Sequence, residues 1–185
     1  MNYLSAERMI INEVSQTLDN VDQEKIAQLI SAINAADKVF FVGVGRVLLS
    51  LQSVAKRLAH LGINTVVVGQ ITEPAITAND LLIVGSGSGE TLYPLGIAKK
   101  AKQYSAKVVH IGANPDSSMR EYSDLFIRLP VSGKQSLPDA IASQQPMTSL
   151  FEQSLLLLGD TIALMMIDHK QLDMPSLWQF HANLE

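Results

Sequence analysis

The sequence predicts an α/β fold built on a five-stranded parallel sheet, and three observations carry that prediction. Short apolar runs recur along the chain without polar alternation, the mark of strands buried on both faces. Segments of helical period separate most of them, as a parallel sheet with crossover helices requires. One run ends in a glycine-serine turn that opens a helix, the position at which open parallel sheets take their ligands.

The first 37 residues read as two helices, about Leu4–Leu18 and Asp22–Ala35, with Asp22 as the N-cap of the second. Val39–Val42 is the first strand, ending at Gly43. Leu48, Leu51, Ala55, Leu58 and Ala59 then fall on one face of a helix that Gly62 stops. Thr65–Val68 is a second strand, followed by a turn-rich link through Pro74 and Asn79-Asp80. Leu81–Val84 leads into the glycine-serine turn and a helix over about Leu92–Tyr104. Lys107–Ile111 and Leu125–Leu129 complete the sheet. The polar stretch 130–145, with Gly133 and Pro138, reads as a loop close to the site. A long helix, about Thr148–His169, and a short one, about Pro175–Ala182, follow.

Composition narrows the function. Apolar residues make up 47% and charged residues 17%, with a mean hydropathy of +0.17. Either a large monomer core or a second subunit covers that much apolar surface, and we favour the subunit. The net charge of −4, without a basic run, argues against nucleic-acid or anionic-membrane partners. The absence of cysteine excludes disulfides, thiolate catalysis and thiolate-bound metal. Leu150–Ile167 is apolar but carries Glu152, Gln153 and Asp160, and an acid at mid-membrane costs about 2.5–3.5 kcal/mol, so a buried helix is expected. Met1–Ile11, with Glu7 and Arg8, has no secretory pattern, and a cytoplasmic location is expected.

The turn Gly85-Ser86-Gly87-Ser88-Gly89-Glu90-Thr91 is the strongest chemical signal. Its glycines allow positive φ and a close approach of ligand to backbone, and Ser86, Ser88 and Thr91 offer hydroxyl donors. The following helix adds free amides and the positive end of its dipole, so the turn suits a phosphate monoester. A plain turn capped by Ser88 or Thr91 is the alternative. Glu90, a like charge, is assigned a structural or hydroxyl-orienting role.

Glu152 opens an apolar helix and could shuttle protons. It also completes a Ser149-x-x-Glu152 capping box. Arg46, directly after Gly45 at the ligand edge, would hold phosphate or sugar hydroxyls, or pair with a carboxylate. Among the histidines, His110 reads as core and His169 as a surface residue at a helix end. His60 reads as packing before substrate contact. His181, beyond Trp178 and Phe180, lies on a segment expected to dock on another subunit. No two histidines share a metal-binding helical spacing, so no metal is expected.

Val84–Thr91 resembles the phosphate loop of the sugar isomerase (SIS) domain superfamily. Gly43–Arg46, Lys56–Gly62, Asn114–Ser118, Gln145–Gln153 and His181–Glu185 are similar to its 6-phospho-3-hexuloisomerase branch, in order and across essentially the whole chain. The resemblance implies a flavodoxin-like three-layer α/β/α sandwich forming a single domain over 1–185. Within it, 1–37 are N-terminal helices, 38–130 the α/β core and 146–185 C-terminal helices. It further implies a homotetramer with sites between subunits, no cofactor, and interconversion of D-arabino-3-hexulose 6-phosphate with fructose 6-phosphate. Carried onto matching positions, Ser86, Ser88 and Thr91 hold the phosphate, Glu152 is the leading catalytic candidate and His181, from a neighbouring subunit, the next. By their place in the chain we add Gly45, Arg46, Gly87 and Gly89 to the binding residues and His60 to the catalytic candidates. The match departs from the family at Val47-Leu48, where Ser-Gly is usual, so one substrate-binding hydroxyl is missing.

An isomerase of another phosphosugar is the nearest alternative. A non-catalytic phosphosugar sensor is the alternative from a different class; a DNA-binding version is disfavoured by Glu7, Glu13, Asp19, Asp22 and Glu24 ahead of the first strand.

Overall fold

A computed structural model describes residues 1–133, 137 and 139–184. Pro138 of the predicted loop and Glu185 of the C-terminal motif lie outside the described residues. Helices α1 (Tyr3–Asp19) and α2 (Gln23–Ala35) come first, and Asp22 caps α2 by accepting from the Glu24 and Lys25 amides. The strands are β1 (Val39–Val42), β2 (Thr65–Val67), β3 (Leu81–Gly85), β4 (Lys107–Gly112) and β5 (Leu125–Arg128). Between and after them run α3 (Gly45–Ala59), α4 (Leu92–Gln103) and α5 (Ser149–His169). The segment predicted as a short terminal helix is a 3-10 helix, Met174–Phe180.

All five strands pair in parallel, in the order β2-β1-β3-β4-β5. After β1 the chain crosses to one neighbour (β2), then returns past β1 to its other side (β3). The order therefore reverses between β1 and β3, and their carboxyl ends border an open crevice.

The strands explain the two layers flanking the sheet. Phe41, Ile83, Ile111 and Ile127 face the larger core, shared with α2, α3 and α5. Phe40, Leu82, Val84 and Val108 face a thinner one, closed by Ala98 and Ala101 of α4 and by Met119. Strands β1 and β3 are buried throughout, which is why they lack alternation. Strand β5 departs from that expectation: as an edge strand it leaves Phe126 and Arg128 half-buried.

Helix α5 is long and apolar enough to cross a membrane, yet Leu150, Leu155, Leu158, Ile162 and Met166 lie in the core. It packs tightly on α3 at Gly159, where an added Cβ would stand 2.2 Å from Val54 Cγ2. Gly159→Ala gains about 1 kcal/mol of helix propensity, but the buried clash costs about 1–3 kcal/mol. We predict net destabilisation, read as a lower urea midpoint at unchanged m-value.

Candidate active site

The glycine-serine turn occupies the crevice at the ends of β1 and β3. Gly85 ends β3 pressed against α3: a Cβ there would come within 2.8 Å of Leu51 Cδ1 and 2.9 Å of Val47 Cγ1. The chain then bends across the end of β4. The Ser86 amide donates to the Ile111 carbonyl (3.1 Å), and the Ala113 and Asn114 amides both donate to the Gly87 carbonyl (2.9 and 3.2 Å). Of the three glycines expected to need positive φ, only Gly89 adopts it, at 68°. Gly89 also abuts Ser117, whose Oγ would lie 2.1 Å from an added Cβ. Gly85 is required by close packing, whereas at Gly87 the nearest atom is the Phe151 ring at 3.6 Å.

Ser86 Oγ accepts from the Gly89 amide (3.1 Å) and donates to Thr91 Oγ1 (3.4 Å), so that of this pair the Thr91 proton is the one left over. Ser88 Oγ accepts from the Glu90 amide (3.2 Å) and, among the described residues, donates to no protein acceptor. Thr91 is the N-cap of α4 by position, but its side chain makes no capping bond, and Ser88 does not cap either. Among the described residues, the Gly87, Ser88 and Thr91 amides donate to no protein acceptor. Glu90 has the structural role: it accepts from the Ser118 amide at 2.7 Å, and the hydrogen bonds from the Ser118 amide and side chain hold its carboxyl below the usual range.

His110 supports the turn from beneath. Its Nε2 lies 2.9 Å from the Ser86 carbonyl, which fixes the proton on that nitrogen in the neutral ring. Burial lowers its pKa to about 4, the bond to Ser86 opposing the shift only in part. The same bond explains Gly112, where a Cβ would fall 2.3 Å from His110 Nε2 and 2.7 Å from the Ser86 carbonyl.

The turn forms one wall of a cleft of about 450 Å³. Val44 and Val47 close it from the β1 end, Asn114 from the β4 end, and Ser132, Thr148 and Phe151 from the loop and α5. Val47, standing where a serine is usual in the resemblance, thus presents methyl groups to the cleft. Thr148 enters α5 through a strained kink, with φ of 55° at Met147 and 64° at Thr148. Such angles are outliers for a β-branched residue and cluster at functional sites.

Glu152 lies beside this cleft, buried against α3. Its carboxylate pairs with Arg46 Nε, and its carbonyl accepts from the buried Ser50 Oγ at 2.9 Å. The capping box is absent: Ser149 lies inside the helix, and its Oγ donates to the Pro146 carbonyl at 2.8 Å. Of the two readings of Arg46, the carboxylate pair is therefore the one formed. Gly45 (φ 57°) starts α3 and turns Arg46 toward α5.

His60 and His181 lie elsewhere. Gly45 and His60 bracket α3, and its 15 residues separate them by about 22 Å at 1.5 Å rise per residue. The two rings stack with centroids 5.1 Å apart, and Trp178 packs on His181 at 5.0 Å. They line a separate cavity of about 600 Å³ with Arg57, Asp160 and Leu164. The segment expected to dock on another subunit packs on its own chain through Phe180, which covers Gly62. Trp178 remains 71% exposed. Within one chain, then, the substrate-binding candidates and Glu152 come together and the histidines do not. Among the described residues no cluster of three or more His, Asp or Glu side chains could hold a metal.

Sequence reasoning missed Ser50, Ser132, Phe151 and the role of His110. His110 is opposite Val84 only through the β3–β4 register, which no local pattern displays.

The SIS domain profile matches residues 32–160. The 3-hexulose-6-phosphate isomerase of Bacillus subtilis (strain 168) is 40% identical over 176 residues, 95% of each chain. That of Mycobacterium gastri is 37% identical over 177 residues, 96% of this chain and 88% of the relative. The crystal structure of a hypothetical protein from Methanococcus jannaschii, described as inferring a molecular function of 3-hexulose-6-phosphate isomerase, matches with a TM-score of 0.85 and 31% identity. It covers 98% of this chain and 99% of that one.

The His110 environment predicts a pH dependence. With a native pKa of about 4 against about 6.5 unfolded, the unfolded chain binds the extra proton between those values. Stability therefore falls as pH drops from 6.5 to 4, by up to about 1.4 kcal/mol per pH unit from this residue. Urea denaturation across that range should show a shallower slope in His110→Gln, and an unchanged slope would refute the assignment.

Proposed function

Because the chain belongs to the SIS domain family, we propose that it is a phosphosugar isomerase whose substrate pair is 3-hexulose 6-phosphate and fructose 6-phosphate. The observation that carries this reading is the cleft itself. Among the described residues the Ser88 and Thr91 hydroxyls and the Gly87, Ser88 and Thr91 amides donate to no protein acceptor, and Phe151 of the same cleft immediately precedes Glu152 of an ionic Arg46–Glu152 pair. The first set neutralises a phosphate without burying a cation. The second supplies a base and a positive charge for the reacting end.

In this reading Gly87 and Gly89 let the backbone reach the phosphate, and Ser86, Ser88 and Thr91 bind its oxygens. Glu152 takes the C2 proton, and the resulting enediolate receives a proton at C3, which moves the carbonyl from C3 to C2 without any redox partner. Gly45 places Arg46 so that its guanidinium can stabilise the enediolate or leave Glu152 for the phosphate. His60 and His181 enter the chemistry of a neighbouring copy in a homotetramer. The exposed Leu164 and Trp178 that line their cavity support such an interface. The chain from 1 to 185 is taken as one SIS unit, its N-terminal helices joined to the rest by the packing of α1 on α5. We place it in the cytoplasm, where its phosphorylated substrates would be found.

A coupled assay following fructose 6-phosphate formation tests the reading. Glu152→Gln should lose on the order of 10²–10⁴-fold in kcat, the range for a general base. Retained turnover would remove Glu152 from the chemistry. A wild type that binds fructose 6-phosphate without turnover would be a sensor, the outcome that Val47 favours. Ser88→Ala should raise KM by about 10-fold or more, as expected for one hydrogen bond to a charged group, and leave the poor binding of unphosphorylated fructose unchanged.

A further inference from the structure

Glu13 lies on α1, far from the cleft in sequence, and reads there as one more acidic residue of an N-terminal helix. In the structure it is 7% exposed. Its Oε2 accepts from Ser143 Oγ at 2.7 Å and Gln145 Nε2 at 3.0 Å, and its Oε1 from the Gln144 amide at 2.9 Å. Ser143 Oγ, having donated to Glu13, accepts from the Gln145 amide at 3.0 Å. Among the described residues no cation pairs with Glu13. Among the described residues, the hydrogen-bond partners of its carboxylate come from three consecutive residues of one loop.

That loop connects two walls of the cleft. At its start, the Ile141 amide donates to the Pro130 carbonyl (2.7 Å) and the Ser132 amide to the Ile141 carbonyl (2.9 Å), tying it to the Val131–Gly133 wall. At its end, Gln145 leads directly into the left-handed pair Met147-Thr148 and then to Phe151 and Glu152 at the start of α5. A kink of two positive-φ residues without glycine holds only where its surroundings over-determine it. The Glu13 bonds end two residues before that kink.

We propose that Glu13 is a positioning residue for the isomerase site, holding the 141–148 segment so that Ser132, Thr148 and Glu152 keep their places around the sugar end of the substrate. This rests on the reading of the cleft given above. A carboxylate buried without a cation is an expensive way to fill space, and an apolar side chain would pack there at less cost. Its use makes sense where three donors of a loop must be fixed in one geometry. Burial alone would raise its pKa, but the hydrogen bonds from Gln144, Ser143 and Gln145 outweigh that and hold it below the ordinary value, so the ionised acceptor is the native form. The glycine-serine turn is anchored separately, by β4 and His110, so Glu13 acts on the sugar end and not on the phosphate end.

The test compares Glu13→Ala with Thr17→Ala. Thr17 is one turn further along α1, fully buried, and donates only to the Glu13 carbonyl, at 2.9 Å; it controls for loss of helix stability. In Glu13→Ala, the affinity for fructose 6-phosphate should fall about tenfold or more while that for inorganic phosphate stays within about twofold. Exchange of the Gln144 amide should rise about tenfold or more, with the β3 and β4 amides unchanged. Thr17→Ala should leave the ratio of the two affinities at the wild-type value whatever its loss of Tm. The proposal is overturned if both ligands weaken together in Glu13→Ala, if the ratio follows Tm in both variants, or if 141–148 exchange is unaltered. None of these readouts requires turnover, so a wild type without isomerase activity would sink the catalytic reading and still leave the clamp decided by the affinity ratio and exchange.

Discussion

The site depends on how one strand ends. Because the sheet order reverses between β1 and β3, no crossover helix can lie over the gap between their carboxyl ends, and the backbone leaving β3 has to be held there by something else. It is held from two sides. Gly85 lets the chain lie against Leu51 and Val47 of α3 at a distance no side chain would allow. On the other side Ser86 is fixed through both backbone groups, its amide to Ile111 and its carbonyl to a buried histidine. With the backbone pinned at Ser86, the next residues have little choice but to turn outward. The amides and hydroxyls that would bind a phosphate are those left over once the turn has satisfied its internal bonds.

This arrangement explains why a neutral histidine supports the turn. A lysine or arginine beneath Ser86 would bury a charge under the turn at a cost in desolvation, whereas the neutral ring donates a single bond to a carbonyl. Its low pKa is the consequence: the protonated ring would have to exist in the same buried space beside Phe126. The surrounding glycines are the other half of the arrangement. Gly112 clears the path of the His110–Ser86 bond, and Gly89 clears Ser117. Small residues that seem scattered in the sequence therefore mark one compact packing problem.

Legibility followed the range of the interactions. Strands β1, β3 and β4 were plain because burial on both faces removes alternation, and Asp22 was plain as a cap because capping is local. The turn was legible as a cluster of hydrogen-bond donors at a helix start since those donors lie within seven residues of one another. The Ser149-x-x-Glu152 box failed for a physical reason. The chain enters α5 through the Met147-Thr148 kink, which puts Ser149 inside the helix, and Arg46, more than a hundred residues earlier, takes the carboxylate instead. A local pattern cannot see a competitor brought in by topology. The same holds for His110, whose function is set by register, and for Glu13, whose partners follow it by some 130 residues.

The separation of His60 and His181 from the cleft follows from helix geometry and bears on why the chain is so apolar. Helix α3 starts at the ligand edge with Gly45 and Arg46 and ends at the opposite side of the sheet with His60, so no rotamer could return that ring to the site of its own chain. What lies around it is a cavity rimmed by Leu164 and Trp178, both largely exposed. Exposed leucine and tryptophan beside a largely apolar, ring-lined cavity are costly on a free surface, and under a partner subunit the same rim would exclude water. In the homotetramer proposed above, the 47% apolar composition and the distance of His60 and His181 from the cleft would have one cause: side chains that meet a neighbour's surface cannot also serve the core of the chain that carries them.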